Sequence, residues 1–309
     1  MENKTYGLND KERQQWYDNV IRPLFLDGKE KSDKPTFVLL TGQPGAGKTT
    51  ASAKYAQMLE PEPVKFGGDD LRILLPYAPE LLRDNPLEYP FITKNDMSWA
   101  RNRLVADTLA NQYNLQIDSI LSNPNDWRMG TLMQAKEAGY RVECVALGVH
   151  RFLSEVSMFG RREEQIKGAG VGFPVTMEPH DVAYDLLPEV VAKMYTEGVA
   201  DKVSIYNRVF ENYYDTDKAE NPNGQGIMRA IIKSRQDYLN KDSLEYIQTS
   251  WETIYENMLG RNASEEQLRE VASYYNVFRK ESGRYLVDGQ SGMQNMMVLI
   301  QQKQQSNRK

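Results

Sequence analysis

The stretch Phe37–Thr50, "FVLLTGQPGAGKTT", constrains the fold more than any other part of the sequence. Four apolar residues lead into a glycine-rich turn, and Lys48 and Thr49 complete the pattern G-x-x-x-x-G-K-[ST] that begins at Gly42. The apolar run predicts a buried strand at Phe37–Leu40, and the residues after the turn predict a helix. A phosphate-binding loop, or P-loop, requires this order of strand, turn and helix, so the motif occurs in its proper context.

The residue types of the loop explain how it would hold a nucleotide. Backbone N–H groups must close around a phosphate, which requires small or absent side chains along the turn. Lys48 brings a positive charge to the phosphates, the Thr49 hydroxyl is a hard oxygen ligand for Mg²⁺, and the helix N-terminus attracts anions. We therefore expect ATP and Mg²⁺ as cofactors. The candidate nucleotide-binding residues of the loop are Gly42, Gln43, Pro44, Gly45, Ala46, Gly47, Lys48, Thr49 and Thr50.

Apolar runs alternate with helical patterns after the first strand. This alternation predicts an α/β fold of the P-loop kinase type, in which helices cover both faces of a parallel sheet and a helical C-terminal extension follows. The predicted elements are the helix Lys48–Leu59, the strand Val64–Phe66, the helix Met97–Tyr113, the strand Leu115–Leu121, the helix Gly130–Ala138, the strand Arg141–Val149, the helix Val182–Tyr195 and a last strand at Lys202–Tyr206.

The chain ends differ from this central region. Asn9 and Glu12 have the spacing of a helix-capping box, and apolar residues at helical spacing continue to Phe25. A polar linker follows at Leu26–Pro35, and turn-forming residues fill Asp215–Gly226, after which the pattern is helical to the end. We therefore expect an N-terminal helix and linker at residues 1–34, the P-loop kinase domain at 35–214 and a helical C-terminal extension at 215–309.

Composition argues against several classes of protein. The net charge of −5 lacks the basic excess that is usual in nucleic-acid binders. A single cysteine, Cys144, allows neither an intramolecular disulfide nor a cysteine-based zinc site. We find no signal-peptide pattern at the start and no apolar run approaching the roughly 18 residues of a membrane span. These features predict a cytoplasmic protein without nucleic-acid or membrane partners.

Motifs downstream of the loop separate the classes of P-loop protein. Switch GTPases need D-x-x-G and N-K-x-D, and neither string occurs in this chain. The second predicted strand instead runs into "VKFGGDDLRILLP", where Asp69 and Asp70 follow two glycines. A carboxylate across the cleft from the phosphates can orient an acceptor hydroxyl and take its proton. Asp69 is the candidate base and Asp70 its rival; alternatively, either residue caps the following helix.

Five segments stand in a distinctive order: "FVLLTGQPGAGKTT", "VKFGGDDLRILLP", "YNLQIDSIL", "RREEQ" and "PHDVAYDLLP". Their order and spacing, over roughly Pro35 to Tyr206, resemble the zeta toxin family, a group of P-loop kinases from bacterial toxin–antitoxin systems. The resemblance implies an ATP-dependent kinase of a nucleotide-linked small molecule. The implied acceptor is UDP-N-acetylglucosamine, phosphorylated on the 3′-hydroxyl of its amino sugar. A related branch of plant-pathogen effectors phosphorylates NAD, so NAD or another nucleotide is the alternative acceptor.

The resemblance assigns Lys48, Asp69 and Arg161 to catalysis. Asp69 falls on the family's aspartate, before a short helix that Pro76 closes. Arg161 falls on an arginine of a lid helix that contacts the transferring phosphate, where a cation neutralises developing charge. The adjacent Arg162 is a candidate nucleotide contact. The alternative is that both arginines belong to an exposed helix face.

The acceptor side departs from the family pattern. The family has Ile-Glu-Gly-Thr at the end of the next core strand, and here the register gives Ile117–Ile120, with Asp118 in place of the glutamate. Asp69, Asp118 and Arg101 are the candidate substrate-binding residues. The shorter carboxylate and the lost threonine leave the identity of the acceptor open.

Two further family positions lie between the lid helix and the next helix. A second family arginine falls on Phe173 here, so Lys167 or Arg162 would have to replace it. His180 and Asp181 match a His-Asp pair of the family. We expect a structural or substrate-shaping role for this pair, with Asp181 as a helix cap, and not an acid–base couple.

The helices at the two ends of the chain are candidates for binding an inhibitor of the kinase. The family resemblance implies a small helical antitoxin that blocks the ATP site. The N-terminal helix or the helical tail either binds such a partner, caps the nucleotide cleft, or simply extends the core. A function of another class is a nucleotide-binding interaction protein with weak or no catalysis, whose working part is the helical tail.

Overall fold

The apolar run before the P-loop forms a central strand of a six-stranded sheet in the computed structural model, which describes residues 6–121, 123, 127–237 and 239–282. The strand order is β2-β3-β1-β4-β5-β6. Successive residues of β1 point to opposite faces: Phe37 and Leu39 join one buried core, and Val38 and Leu40 join the other. The strands are β1 (Thr36–Thr41), β2 (Val64–Gly67), β3 (Leu115–Ser119), β4 (Arg141–Leu147), β5 (Lys202–Tyr206) and β6 (Asn212–Asp215).

Strands β1 to β5 pair in parallel, which confirms the predicted sheet. The sixth strand, β6, runs antiparallel to β5. The prediction that Lys202–Tyr206 is the last strand is therefore wrong. The segment Asn212–Asp215 is short and has polar residues at both ends, so its sequence carries no strand signal, and its pairing with the open edge of β5 decides its conformation.

Helices cover both faces of the sheet, as the alternating pattern predicts. Their boundaries differ from the predicted ones by several residues. The helix predicted at Val182–Tyr195 begins earlier, at Met177, because Pro179 suits the first turn of a helix. The helices of the central region are α3 (Lys48–Ala56), α4 (Gly68–Arg72), α5 (Ala78–Asp84), α6 (Tyr89–Ile92), α7 (Lys94–Ala110), α8 (Trp127–Glu137), α9 (Arg151–Ala169) and α10 (Met177–Thr196).

The N-terminal segment forms α1 (Asp10–Trp16), a π-helical turn (Tyr17–Ile21) and α2 (Arg22–Leu26). The predicted capping box is present: Asn9 and Glu12 exchange side-chain to backbone hydrogen bonds of 2.9 and 3.0 Å. The segment then packs on the rest of the chain, because Trp16 is buried and its indole N–H donates to the Leu74 carbonyl at 2.8 Å. These contacts make the N-terminal helices part of the core.

The tail forms α11 (Gly224–Asp237), α12 (Lys241–Gly260) and α13 (Glu265–Ser282). Helix α11 lies against the sheet, where Ser234 donates a 2.8 Å hydrogen bond to the Gly148 carbonyl just after β4. Trp251 and Phe278 of the other two helices are fully buried in the same core as Val38 and Leu40. The predicted helical pattern beyond residue 282 lies outside the described residues.

The proposed division into three regions stays a prediction, although its boundary after residue 214 falls within β6. None of the described helices combines the length and apolar character that crossing a membrane requires.

Candidate active site

The P-loop, Gly42–Thr49, connects β1 to α3 at the carboxyl edge of the sheet. Gly45 and Gly47 have positive φ angles of 76° and 90°, which residues with a side chain rarely adopt. A Cβ at Gly45 would overlap the backbone carbonyl of Ser154 on α9. Both conformation and close packing therefore require glycine at this position, and the loop rests directly on α9.

The Gln43 side chain is fully buried under the loop. Its amide nitrogen donates to the Val149 carbonyl at 2.8 Å and to the Ser154 hydroxyl at 3.2 Å. Any contact of Gln43 with a nucleotide would therefore come from its backbone. By contrast, Thr49 and Thr50 at the start of α3 are exposed.

The Lys48 ammonium lies on its own loop, donating to the carbonyls of Gly42 at 2.8 Å and Gln43 at 3.0 Å. Removal from water lowers the pKa of Lys48 to about 8, with partial compensation by the nearby carboxylates of Asp118 and Asp69. A bound phosphate would stabilise the protonated amine and raise this pKa again.

Asp118 lies near the end of β3, with Leu40 of β1 on one side and Gly67 of β2 on the other. Its Oδ1 is buried and has no hydrogen-bond partner among the described residues. Burial raises the pKa of Asp118 to about 6, although Ser52 and Lys48 act in the opposite direction. A buried oxygen without a partner costs free energy unless a ligand satisfies it, so Asp118 is suited to bind a cation or a hydroxyl group.

The structure separates the two adjacent aspartates. The Asp70 carboxylate accepts a 2.7 Å hydrogen bond from the Gly67 N–H and so caps the start of α4. The Asp69 side chain is more than half exposed and takes no part in capping. Its carboxylate lies 2.8 Å from the Arg72 guanidinium and 4.0 Å from that of Arg161. The alternative of capping therefore applies to Asp70, and the catalytic role of Asp69 stays a prediction.

Arg161 and Arg162 point in different directions from α9. Arg161 is exposed and reaches towards Asp69. Arg162 is buried against the tail, where it lies 3.4 Å from Glu270 of α13 and its guanidinium sits 5.1 Å from the centre of the Phe159 ring. These contacts direct Arg162 towards the tail, whereas the nucleotide contact predicted for it stays a prediction. Neighbouring residues on a helix differ in direction by about 100°, which separates their environments.

Phe173, at the position of the family's second arginine, packs against another aromatic ring. The Phe173 ring packs 5.5 Å from the ring of Tyr89, and its N–H donates to the Gln165 side chain at 3.0 Å. Lys167, the other suggested replacement, is exposed near the end of α9.

His180 is fully buried between two helices. Its Nε2 lies 2.8 Å from the Ser154 hydroxyl and its Nδ1 lies 2.9 Å from Asp181, which also pairs with Arg151 at 3.3 Å. Burial lowers the pKa of His180, which favours the neutral form of the ring. The prediction that Asp181 caps the helix is wrong, because α10 has already begun at Met177. The pair instead supports Ser154, on which the P-loop rests.

Two arginines that sequence reasoning missed complete this edge of the sheet. Arg128 of α8 donates to the Ser119 hydroxyl at 2.9 Å, and Arg208 after β5 donates to the Gly45 carbonyl at 2.8 Å. Neither arginine belongs to a sequence motif. Arg208 could have been suspected from its position just after a parallel strand, because ligands of α/β sheets bind at the carboxyl ends of the strands. The predicted substrate residue Arg101 donates to the side chain of its neighbour Asn102 at 3.1 and 3.2 Å.

A sequence profile of the family described as Zeta toxin matches residues 24–219, which is more than half of the chain. The chain belongs to the zeta toxin family. Its relatives include Toxin PezT of Streptococcus pneumoniae serotype 4, which is 26% identical over 219 residues, spanning 71% of this chain and 86% of PezT. Toxin zeta of Enterococcus hirae is 24% identical over 188 residues, and the match covers 59% of this chain and 64% of that toxin.

A solved structure confirms the fold. It comes from a study of the PezAT chromosomal toxin-antitoxin system of Streptococcus pneumoniae, with a TM-score of 0.70, 22% identity, and coverage of 80% of this chain and 98% of the other. Family and fold together assign the chain to the P-loop kinase-like zeta toxins, and thus in general to the nucleotide-binding phosphotransferases.

Proposed function

We propose that the protein transfers the γ-phosphoryl group of ATP to a sugar hydroxyl of a nucleotide-linked small molecule. The observation that carries this proposal is the position of Asp69. Its carboxylate is free of the capping role that Asp70 performs, and it lies 4.0 Å from the exposed guanidinium of Arg161. Asp69 also lies close enough to the P-loop lysine to influence the pKa of Lys48. A carboxylate beside a cation near a P-loop lysine suits phosphoryl transfer to a hydroxyl.

Each residue then has a role in the transfer step. The Asp69 carboxylate takes the proton of the acceptor hydroxyl while the acceptor oxygen forms a bond to the γ-phosphorus. The bond between that phosphorus and the β–γ bridging oxygen breaks, and ADP leaves with the electron pair. Lys48 and Arg161 neutralise the negative charge on the phosphoryl oxygens during this exchange.

Magnesium fits the oxygen donors near the loop. The Thr49 hydroxyl is exposed at the start of α3, and the Asp118 Oδ1 is buried without a partner among the described residues. Hydroxyl and carboxylate oxygens are the ligands that Mg²⁺ prefers. The ion would neutralise phosphate charge when bound. This role for Asp118 is an alternative to the direct substrate contact that the sequence predicts.

UDP-N-acetylglucosamine is the acceptor that we propose, and NAD is the alternative. The family resemblance supports the first through Asp69 and through Asp118, which lies near the end of β3. The replacement of the family's glutamate by the shorter Asp118 leaves room for a different acceptor at the same place, which keeps NAD or another nucleotide as the second candidate.

Purified protein incubated with ATP, Mg²⁺ and each acceptor in turn tests the proposal. We expect UDP-N-acetylglucosamine to gain one phosphate, detected by mass spectrometry, and Lys48→Ala to abolish the product. Phosphorylation of NAD alone would establish the alternative. If neither acceptor gains a phosphate, both specific proposals fall. A cellular effect that persists in Lys48→Ala would favour a nucleotide-binding interaction protein instead.

We also propose a small helical antitoxin as a protein partner. The support is family membership, together with the toxin-antitoxin system from which the PezT structure comes. Co-expression with a candidate antitoxin, followed by gel filtration, tests this proposal: a stable complex with lost ATP binding is the expected result, and independent elution would contradict it.

A further inference from the structure

Arg208 follows the last parallel strand and reaches across to the P-loop. Its Nη1 donates to the Gly45 carbonyl at 2.8 Å, and its Nη2 donates to the hydroxyl of Ser157 on α9 at 2.7 Å. Nη1 also lies 3.9 Å from the position that a Cβ on Gly47 would occupy. The guanidinium therefore touches the turn that closes around the phosphates and the helix that carries Arg161.

The loop that carries Arg208 is held in a fixed shape. The Asn207 side chain accepts hydrogen bonds from the N–H groups of Val209 and Glu211, at 3.0 and 2.9 Å, and donates one of 2.8 Å to the Glu211 carboxylate. The Phe210 ring stacks on Tyr206 with centres 4.3 Å apart. A loop built in this way holds the side chain at its tip close to the P-loop at little cost in entropy.

The charge of Arg208 has no carboxylate partner in the part of the chain that the structure describes. Its hydrogen bonds go to a carbonyl and a hydroxyl, which are neutral acceptors. The nearest acidic side chain along the loop, Glu211, is taken by Asn207. A half-buried guanidinium without an ion pair favours an anion at the same place, and its planar fork can bind two phosphate oxygens.

We propose that Arg208 binds the phosphate chain of the donor nucleotide. On binding, its guanidinium exchanges the Gly45 carbonyl for phosphate oxygens and adds a third cation to Lys48 and Arg161. The inference rests on the proposed use of ATP and adds a residue that the P-loop motif does not contain. The competing role is purely structural, in which Arg208 only ties the P-loop to α9 through Ser157.

Binding of ATP in the presence of Mg²⁺, measured by calorimetry on the full chain, separates the two roles. Arg208→Gln removes the charge, Ser157→Ala removes the side-chain contact with α9 but keeps the charge, and Arg269→Gln is a matched control on an exposed part of α13. We expect Arg208→Gln to weaken ATP binding by about 10- to 100-fold, the usual effect of losing a charged hydrogen bond. The other two variants should bind like the unaltered protein.

Two results would overturn the inference: unchanged affinity in Arg208→Gln, or an equal loss in Ser157→Ala. If Arg208→Gln lowers the melting temperature without nucleotide, Arg208→Lys decides. A lysine keeps the charge but not the fork, so it should recover part of the affinity, whereas no recovery would indicate the structural role. Failure of the unaltered protein to bind ATP would instead overturn the proposed function, and with it this inference.

Discussion

At the scale of single residues, the neighbouring carboxylates of Asp69 and Asp70 make different contacts. The Asp70 carboxylate accepts a hydrogen bond from the N–H of Gly67 and so caps the start of α4, whereas the Asp69 carboxylate lies beside Arg72 and Arg161. The sequence "GGDD" shows both aspartates but does not tell which one is the better candidate for the base. That choice depends on which side chain points back to the start of the helix.

This division predicts opposite effects for the two alanine variants. Asp69→Ala should lower kcat by about 10²- to 10⁴-fold, since a general base is lost, with little change in melting temperature or ATP affinity. Asp70→Ala should reduce the free energy of unfolding by about 1 kcal/mol and keep most of the turnover. Steady-state kinetics and urea denaturation of both variants measure these effects. The reverse pattern would make Asp70 the base.

The pKa values of Lys48 and Asp118 predict a bell-shaped pH dependence of kcat/KM. Asp118 must be ionised to bind a cation, so activity should fall as the pH drops through about 6. Lys48 must be protonated to bind phosphate, so activity should fall as the pH rises through about 8. Rates measured from pH 5 to 9.5 test both limbs, and a flat profile across either pKa would contradict the role of that residue.

The position and conformation of the P-loop could be predicted because they depend on local backbone geometry. The spacing of Gly42, Gly47, Lys48 and Thr49 implies the loop whatever surrounds it. Arg162 and Arg208 could not be assigned in this way. Arg162 contacts the tail, which lies far along the chain, and Arg208 reaches the P-loop because of the order of the strands in the sheet. Neither contact can be inferred from the neighbouring sequence.

At the scale of elements, α9 is held between the cleft and the tail. Its cleft side carries Arg161, and its opposite side binds the tail through a buried ion pair. Arg261 donates two hydrogen bonds to the Glu163 carboxylate, at 2.7 and 2.9 Å, and Glu163 is almost fully buried. The helix that the family resemblance describes as a lid is therefore packed against α12 and α13 along this side.

Removal of Arg261 should destabilise the fold strongly. Arg261→Leu leaves the Glu163 carboxylate buried, with Arg162 at 3.5 Å as its remaining ion-pair partner among the described residues. We expect the free energy of unfolding to fall by about 3 kcal/mol. The control is Arg269→Leu, which breaks an exposed pair with Glu265 and should cost about 0.5 kcal/mol or less. Equal losses in urea denaturation would show that the Arg261–Glu163 pair adds nothing specific.

Element types were easier to predict than element ends. The strands of the parallel sheet have continuous apolar runs because both faces are buried. The antiparallel β6 lacks such a run, and α4 is a single short turn whose start depends on Asp70. Elements of this size are stabilised by their neighbours, so their own residues predict them poorly.

At the scale of the whole molecule, the tail completes the core. Trp251, Tyr275 and Phe278 are fully buried, and the Trp251 ring lies 5.3 Å from that of Phe159 on α9. This arrangement agrees with the interpretation that the tail helices extend the core. The sequence predicts the helices but not their contacts, because an amphipathic pattern does not identify the surface that it meets.

A chain shortened to residues 1–239 tests the role of the tail. Loss of α12 and α13 would expose the apolar side of α9, and we expect an insoluble protein or a broad thermal transition. Solubility, circular dichroism and kinase activity of the shortened chain are the measurements. A well-folded product with raised activity would show instead that the tail caps the cleft.

The different orientations of Arg161 and Arg162 have a consequence for the tolerance of α9 to changes in length. One inserted or deleted residue before Arg161 rotates everything after it by about 100°. Such a change would move Arg161 away from Asp69 and separate Glu163 from Arg261 at the same time. We therefore expect α9 to accept many substitutions on its exposed positions but no single-residue insertion or deletion between Ser154 and Glu163.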